Sequence, residues 1–252
     1  YAVPFLAHAC MEPLNCTVRV SPDRCDLWIP TQAPALTRGV AAALLGLALE
    51  SVTVHTTFLG GGFGRRVDQD IVKTAVAIAA KVPGRTVQVI WSREEDMRHD
   101  VYRPAARARM RAWLDERGMP RAIHARLASD AVMRGLVSRI SASAASDGPD
   151  GSSVDGVVDR PYRVPQRLVE HGDIDSGVPV GLWRSVGHSQ NTFFYESFLN
   201  ELAARAGHDG LVYRRALLTN RPRHLAVLEK VARASNWDSH SQPNQGRGIA
   251  LV

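Results

Sequence analysis

The sequence predicts an α+β fold in which mixed sheets pack against helices. Strand-like segments cluster in the first half, helical spacing dominates the last quarter, and strands do not alternate with helices in the regular order of a doubly wound sheet. At 252 residues, with 45% hydrophobic and 22% charged residues, the chain has room for one or two domains with real cores. No uninterrupted apolar run approaches the roughly 18 residues a membrane helix needs. The net charge of +6 suggests an anionic partner, but Lys occurs only at positions 73, 81 and 230 and the arginines are scattered along the sequence. A nucleic-acid partner is therefore not expected. Cys10, Cys16 and Cys25 contain no CxxC pair and match neither a zinc nor an iron–sulfur spacing, so they read as packed, reduced thiols.

Taken in order, residues 16–29 read as two strands around the turn at Pro22 and Asp23. Residues 33–49 have helical spacing, with Thr31 as N-cap and Pro34 in the first turn. Residues 51–58 alternate and are rich in β-branched side chains, which predicts a strand running into a glycine loop. The stripe Ile71, Ala75, Ile78 and Ala79 predicts a helix over 68–81, ended by Pro83 and Gly84. A strand over 85–91 follows, then a hairpin of 106–114 and 121–129 across the turn at 116–120. Residues 141–156, rich in Ser, Ala, Gly and Asp, read as a flexible loop dividing a strand-rich part, 1–140, from a helix-rich part, 157–252. Helices are expected over 191–206, 209–218 and 224–235. The apolar end at 248–252 reads as a strand entering a core. Because the chain opens at Tyr1 and stops in that run, both ends read as internal to a longer polypeptide.

The strongest chemical signal is the run from Leu59 to Arg66, which holds Gly60, Gly61, Gly62, Phe63 and Gly64 between a predicted strand and a predicted helix. Glycine loses much conformational freedom on folding, and in return it reaches positive φ and lets main-chain N–H groups approach a ligand. Beside a helix N-terminus such a loop suits an anionic or oxo-bearing ligand. A phosphate-binding P-loop is excluded by Arg65 and Arg66, which stand where Lys and Ser or Thr are needed. A dinucleotide fingerprint fits poorly, because Asp68 and Asp70 fall far short of an acidic residue ~20 positions on. A tight turn without any ligand remains the competing reading.

Three separated segments share a pattern. His8-Ala-Cys-Met-Glu-Pro-Leu-Asn15, the glycine loop, and Trp183-Arg-Ser-Val-Gly-His-Ser-Gln-Asn191 leading into Glu196-Ser-Phe-Leu-Asn-Glu-Leu-Ala203 resemble, in this order, segments of the molybdenum hydroxylase large subunit, in its isoquinoline oxidoreductase branch. The stretches 213–218 and 246–250 are similar as well. The resemblance implies a molybdenum-cofactor-binding region, with the main-chain N–H of Phe63 near an oxo ligand of the metal and Gly61, Gly62, Gly64 and Arg65 around the cofactor. It implies that Arg184 lies near substrate, where its fork of donors can orient a carbonyl or stabilise developing negative charge. The implied reaction is hydroxylation of an N-heteroaromatic compound or an aldehyde, with water as the oxygen source. The implied cofactor is molybdopterin cytosine dinucleotide with molybdenum, and the implied partners are an iron–sulfur small subunit and a cytochrome c.

Other residues refine these expectations. His8 and Glu12 sit in an apolar stretch and read as structural, Glu12 anchoring backbone donors; His188, on the same loop as Arg184, stands open to face substrate or cofactor. Xanthine-oxidising relatives have Gln and Glu where Leu6 and Val67 stand here, so purine is not the expected substrate. The general-base glutamate implied by the resemblance falls beyond Val252, and Glu196 and Glu201 are not assigned to that role. A periplasmic location is expected, with the cytoplasm as the alternative. Two competing functions stay open: a non-catalytic cofactor-binding or assembly domain, and a generic dinucleotide-binding oxidoreductase.

Overall fold

The computed structural model describes residues 1–140, 148–237 and 244–252. It is a mixed fold of two four-stranded sheets with packed helices, as the element pattern predicts. The first sheet grows from the hairpin β2 (Asn15–Ser21) and β3 (Arg24–Ile29), paired antiparallel from Thr17 opposite Trp28 to Ser21 opposite Arg24. Alternation buries Cys16, Val18 and Val20 on one strand and Cys25, Leu27 and Ile29 on the other. From β3 the chain crosses through α1 (Pro34–Leu45) to β4 (Val52–Thr56), which lies parallel to β3. After the glycine loop, α2 (Asp70–Ala79) crosses to β5 (Thr86–Ile90), antiparallel to β2 on its other side. Val40 and Ala41 of α1 join Ile71, Val72, Ala75 and Val76 of α2 over this sheet, forming one closed core.

A short helix, α3 (Arg93–Arg98), leads to the second sheet. Its centre is the hairpin β6 (Ala106–Leu114) and β7 (Pro120–Ser129), edged by β1 (Ala2–Val3) against β6 and by β8 (Gln166–Asp173) parallel to β7. The helix α4 (Val132–Ile140) follows β7. The long helix α5 (Gly187–Arg205), then α6 (Gly210–Leu217) and α7 (Pro222–Ala234), complete this half. The small inward residues Ala106, Ala108 and Ala125 leave space for Phe194, Phe198 and Leu199 of α5, which share their core.

Several expectations shift. The first helix ends at Leu45 because Gly46 takes φ 66°, a left-handed C-terminal stop that overrides the continuing apolar spacing. Thr31 is not the cap residue: Ala33 occupies that position, and the Thr31 hydroxyl accepts from the Ala33 N–H just outside the helix. The helix expected over 68–81 begins only at Asp70, because a 3-10 turn at Arg65–Val67 separates it from the glycines. Its N-terminal dipole therefore does not point from the end of the loop itself. α3, α4 and β8 were not anticipated. Ile249 and Leu251 enter the core as expected, but in irregular backbone and not as a strand. Of the expected 141–156 loop, residues 141–147 lie outside the described residues. Its remaining part contains a 3-10 turn at Gly151–Ser153. Cys10, Cys16 and Cys25 are buried and unpaired. Burial, the main cause, pushes the Cys16 thiol up to about 12 and that of Cys25 to about 11, so both stay protonated.

Candidate functional site

The three segments that are separated in sequence meet in space around the glycine loop. Glu12 ties the first to the second: its N–H donates to Gly60 O at 3.1 Å, and its carboxylate accepts from the Gly60 N–H at 2.8 Å. Its other oxygen accepts from Asn15 at 2.8 Å. Glu12 thus anchors a backbone donor, as expected of a structural glutamate. Arg66, which the sequence did not single out, is the strut of the loop. Buried at 3% exposure, it donates to Gly61 O at 2.7 Å, Pro30 O at 3.3 Å and both Glu12 O and Glu12 Oε2 at 2.8 and 2.9 Å. Gln32, also missed, accepts through Oε1 from the N–H groups of Gly64 and Arg66 at 3.0 and 3.3 Å.

These bonds leave a pattern on the loop. The Gly60 and Gly64 N–H groups are used, whereas those of Gly61, Gly62 and Phe63 have no partner among the described residues, although Gly62 is buried. Buried main-chain donors are rarely left unpaired. Gly61 and Gly64 have φ of 102° and 103°, and Phe63, which has a Cβ to accommodate, has φ 54°. The glycines adopt this region freely, whereas Phe63 is held there against its preference by surroundings that over-determine it, which happens most often at binding sites. Successive main-chain donors in a turn that alternates between right- and left-handed backbone form a concavity suited to an anion or an oxo group. Phe63 is 43% exposed.

Arg65 turns the opposite way, into the interior. Its guanidinium makes a forked pair with Asp70, at 3.1 and 2.6 Å, and its Nε lies 2.8 Å from Asp100 Oδ1. Burial opposes this charge, but Asp70, Asp100 and Asp68 together hold its proton more firmly than usual. What Arg65 offers toward the loop's open face is its backbone, whose N–H is taken by Gly62 O.

His8 joins the first segment to the third. Its Nδ1 lies 3.0 and 3.1 Å from the two Asp100 oxygens, its Nε2 lies 2.9 Å from Leu182 O, and its ring lies against Trp183 with centroids 4.8 Å apart. Leu182 O in turn presses on Gly64, where any Cβ would collide with it. The Arg103 guanidinium covers the Trp183 ring at 6.0 Å, and Leu6, one of the two departures from the xanthine-oxidising pattern, exchanges backbone bonds with Arg103. Ser185 (φ 74°) and Val186 (φ 48°, ψ −124°) make the turn that carries Arg184 into α5. A β-branched residue in this region is a genuine outlier. Arg184 itself is exposed and has no hydrogen-bond or ion-pair partner among the described residues. His188, left open by the sequence, lies with Nε2 2.6 Å from Asp159 Oδ2. Asn191 locks the start of α5 by donating to Ser153 O and Asp155 O at 2.9 and 2.8 Å.

Among the described residues no three His, Cys, Asp or Glu side chains converge as metal ligands. Among the described residues, the polar groups left open at this junction include the loop's main-chain donors and the exposed Arg184, beside the buried Nε atoms of Arg65 and Arg103, which make no hydrogen bond.

The profile of the molybdopterin cofactor-binding domain family matches residues 1–218. The chain is 32% identical over 243 residues to the beta chain of isoquinoline 1-oxidoreductase from Brevundimonas diminuta, covering 96% of this chain and 30% of that protein. It is 25% identical over 270 residues to one of the subunits of nicotinate dehydrogenase from Pseudomonas putida, covering all of this chain and 22% of that protein. The chain therefore spans under a third of the length of these two relatives. Among solved structures, quinoline 2-oxidoreductase from Pseudomonas putida 86 superposes with a TM-score of 0.79 at 17% identity, over 94% of this chain and 32% of the other, which shows a shared fold. The chain belongs to the molybdenum hydroxylase family, as a molybdopterin cofactor-binding domain related to its isoquinoline, aldehyde and xanthine oxidoreductase large subunits.

Proposed function

We propose that this chain forms one wall of the molybdenum site in a hydroxylase large subunit that oxidises an N-heteroaromatic compound or an aldehyde with water as the oxygen source. The observation that carries this reading is the run of unpartnered main-chain donors at Gly61, Gly62 and Phe63, in a loop clamped by Glu12, Gln32 and Arg66. Such a rigid row of dipoles fits an oxo-bearing or phosphate-bearing group without reorganising to meet it. When bound, the molybdenum–pterin group supplies a two-electron acceptor and a Lewis acid. The residues of this chain bind and orient: the loop donors hold the cofactor's oxygen atoms, Gly64 permits the close approach of the 182–186 segment, and Arg65 braces the loop from within. Arg184, without a hydrogen-bond or ion-pair partner among the described residues, orients the substrate or stabilises developing negative charge.

Similarity to subunits that carry isoquinoline 1-oxidoreductase and nicotinate dehydrogenase in their names supports a planar N-heterocycle as substrate class. Leu6 and Val67, apolar where purine-oxidising relatives have polar side chains, support a less polar N-heteroaromatic ring or an aldehyde over a purine. We assign the cytosine dinucleotide form of the cofactor, an iron–sulfur partner subunit with a cytochrome c as further acceptor, and a periplasmic site of action to the same proposal. The test is metal and pterin analysis of the complete subunit, made in a host that synthesises molybdopterin. Molybdenum and pterin near one per chain are expected, and absence of both overturns the proposal. In the loaded enzyme, Arg184→Ala is expected to retain molybdenum while losing about 10²-fold or more in kcat/KM.

A further inference from the structure

The second sheet carries one face away from its helices, and its register collects there arginines that look scattered in the sequence. On β6, Arg107, Arg109 and Arg111 alternate outward, each exposed, while Ala106 and Ala108 point into the core. Arg109 stands directly opposite Arg126 of β7, Arg111 opposite His124, and Trp113 opposite Ala122. The next strand continues the rows, with Glu170 beside Arg126 and Leu168 beside His124. Glu170 brings a carboxylate to this face, 2.5 Å from His124 Nε2 and 3.2 Å from Arg126 Nε. Arg107, Arg109 and Arg111 have no hydrogen-bond or ion-pair partner among the described residues. Arg107, Arg109 and Arg126 border a hollow of about 370 Å³ whose floor includes Ala128 and Gly172.

Like charges directly opposite one another in a sheet destabilise it. A face that places Arg109 against Arg126 and leaves three guanidinium groups unpaired spends folding stability on its charge. At its end stand Trp113, 56% exposed, and Leu168, 55% exposed. Arginine and tryptophan around a small apolar floor is the composition of a protein-binding hot spot, where the forked guanidinium pairs with carboxylates. A phosphate backbone fits less well, because Glu170 sits in the middle of the face and lysine is absent from it.

We infer that the outer face of β6, β7 and β8 is a docking surface for an acidic patch on a companion protein subunit, held by Arg107, Arg109, Arg111 and Arg126 around Trp113. The occupant is argued from charge complementarity, and the similarity to relatives named as subunits supports the existence of a companion. The inference rests on the proposed function for that companion's identity.

The test uses the purified complex of the complete large subunit with its companion. Arg109→Glu with Arg126→Glu is compared with Lys81→Glu and Arg85→Glu, an equal charge change on exposed residues elsewhere. Sedimentation at low and high salt reports the association, and molybdenum content is measured in parallel. Docking at this face predicts a loss of affinity of about 30-fold or more for the first pair only, a wild-type association that weakens with salt, and unchanged molybdenum. Unchanged association of the double variant overturns the inference. So does intact association accompanied by loss of compactness of the large subunit, which would assign the face to contact within the same chain. Salt-sensitive binding of a labelled DNA duplex that the variant abolishes overturns it in favour of a nucleic acid. If the double variant misfolds, Arg109→Gln and Arg126→Gln are read singly. Lack of molybdenum in the wild-type complex would count against the proposed function alone, because the docking readout does not depend on it.

Discussion

Gly64 occupies a point where two loops touch: its φ is 103°, and a Cβ there would collide with Leu182 O. Left-handed strain and a backbone clash add, so Gly64→Ala is expected to cost about 3 kcal/mol or more in urea unfolding. Gly84→Ala, also at positive φ (79°) but in open space, should cost about 1 kcal/mol. Equal costs would show that the contact with Leu182 contributes nothing. Asp100 is the second decisive residue. Burial alone would raise its carboxyl pKa, but the hydrogen bond and charge of His8, with the charge of Arg65, leave it below the ordinary aspartate value. A depressed folded pKa stabilises the fold above the unfolded value of about 3.9 and loses that contribution as pH falls through the folded one. Asp100→Asn should therefore cost about 3 kcal/mol at neutral pH and flatten the decline of stability below about pH 4, read from unfolding curves across pH. An unchanged acid limb would overturn this. The glycines were legible because their clustering is costly without a use. Asp100 and Arg66 were not, since a charged residue shows its burial only when its partners, far away in sequence, are in place.

At the scale of elements, the sequence reported periodicity well and ends less well. The apolar spacing of α1 continues past Leu45, yet Gly46 stops the helix. α3 has a visible start signal, Ser92 with Glu95 three positions on, and the Ser92 hydroxyl accepts from the Glu95 N–H at 3.2 Å. At six residues it lacks the apolar stripe by which longer helices are recognised. The packing of α5 on α6 depends on a buried ion pair: Arg214 donates to Glu196 Oε2 at 2.9 and 2.8 Å and to Asn200 at 2.8 Å, and the Tyr162 hydroxyl donates to the same Glu196 oxygen. This pair joins two of the segments that carried the family resemblance. Arg214→Met would leave the Glu196 charge buried without its main partner and is expected to cost about 3–5 kcal/mol. Pairing it with Glu196→Leu should restore at least half of that loss. A double-mutant cycle by urea unfolding measures this, and full additivity of the two costs would refute it.

The whole molecule has two cores, one gathered from residues 14–79 and one from residues 106–251. The site lies where connecting segments of both halves meet, with residues 8–12 and the 182–186 turn closing on the glycine loop. Polar ties join the halves, among them the forked pair of Arg139 with Asp68 at 2.8 and 2.9 Å. Native-state hydrogen exchange should accordingly find two groups of slow amides, one in β2 and β3 and one in β6 and β7, opening with distinct free energies. A single shared opening energy would show the two cores to be one cooperative unit. The sequence alone determined the mixed fold class, the two hairpins, the three late helices and the glycine loop, because periodicity, turn residues and glycine clustering are local properties of a chain. Tertiary structure decided the remainder. It made β8, a mostly exposed segment with little alternation, into a strand by pairing it with β7. It gathered the arginines onto one face through strand register, and turned Arg65 inward while leaving Arg184 free. Each of these outcomes depends on residues distant in sequence, and the loop's three open donors became recognisable only once Glu12, Gln32 and Arg66 had taken their places around them.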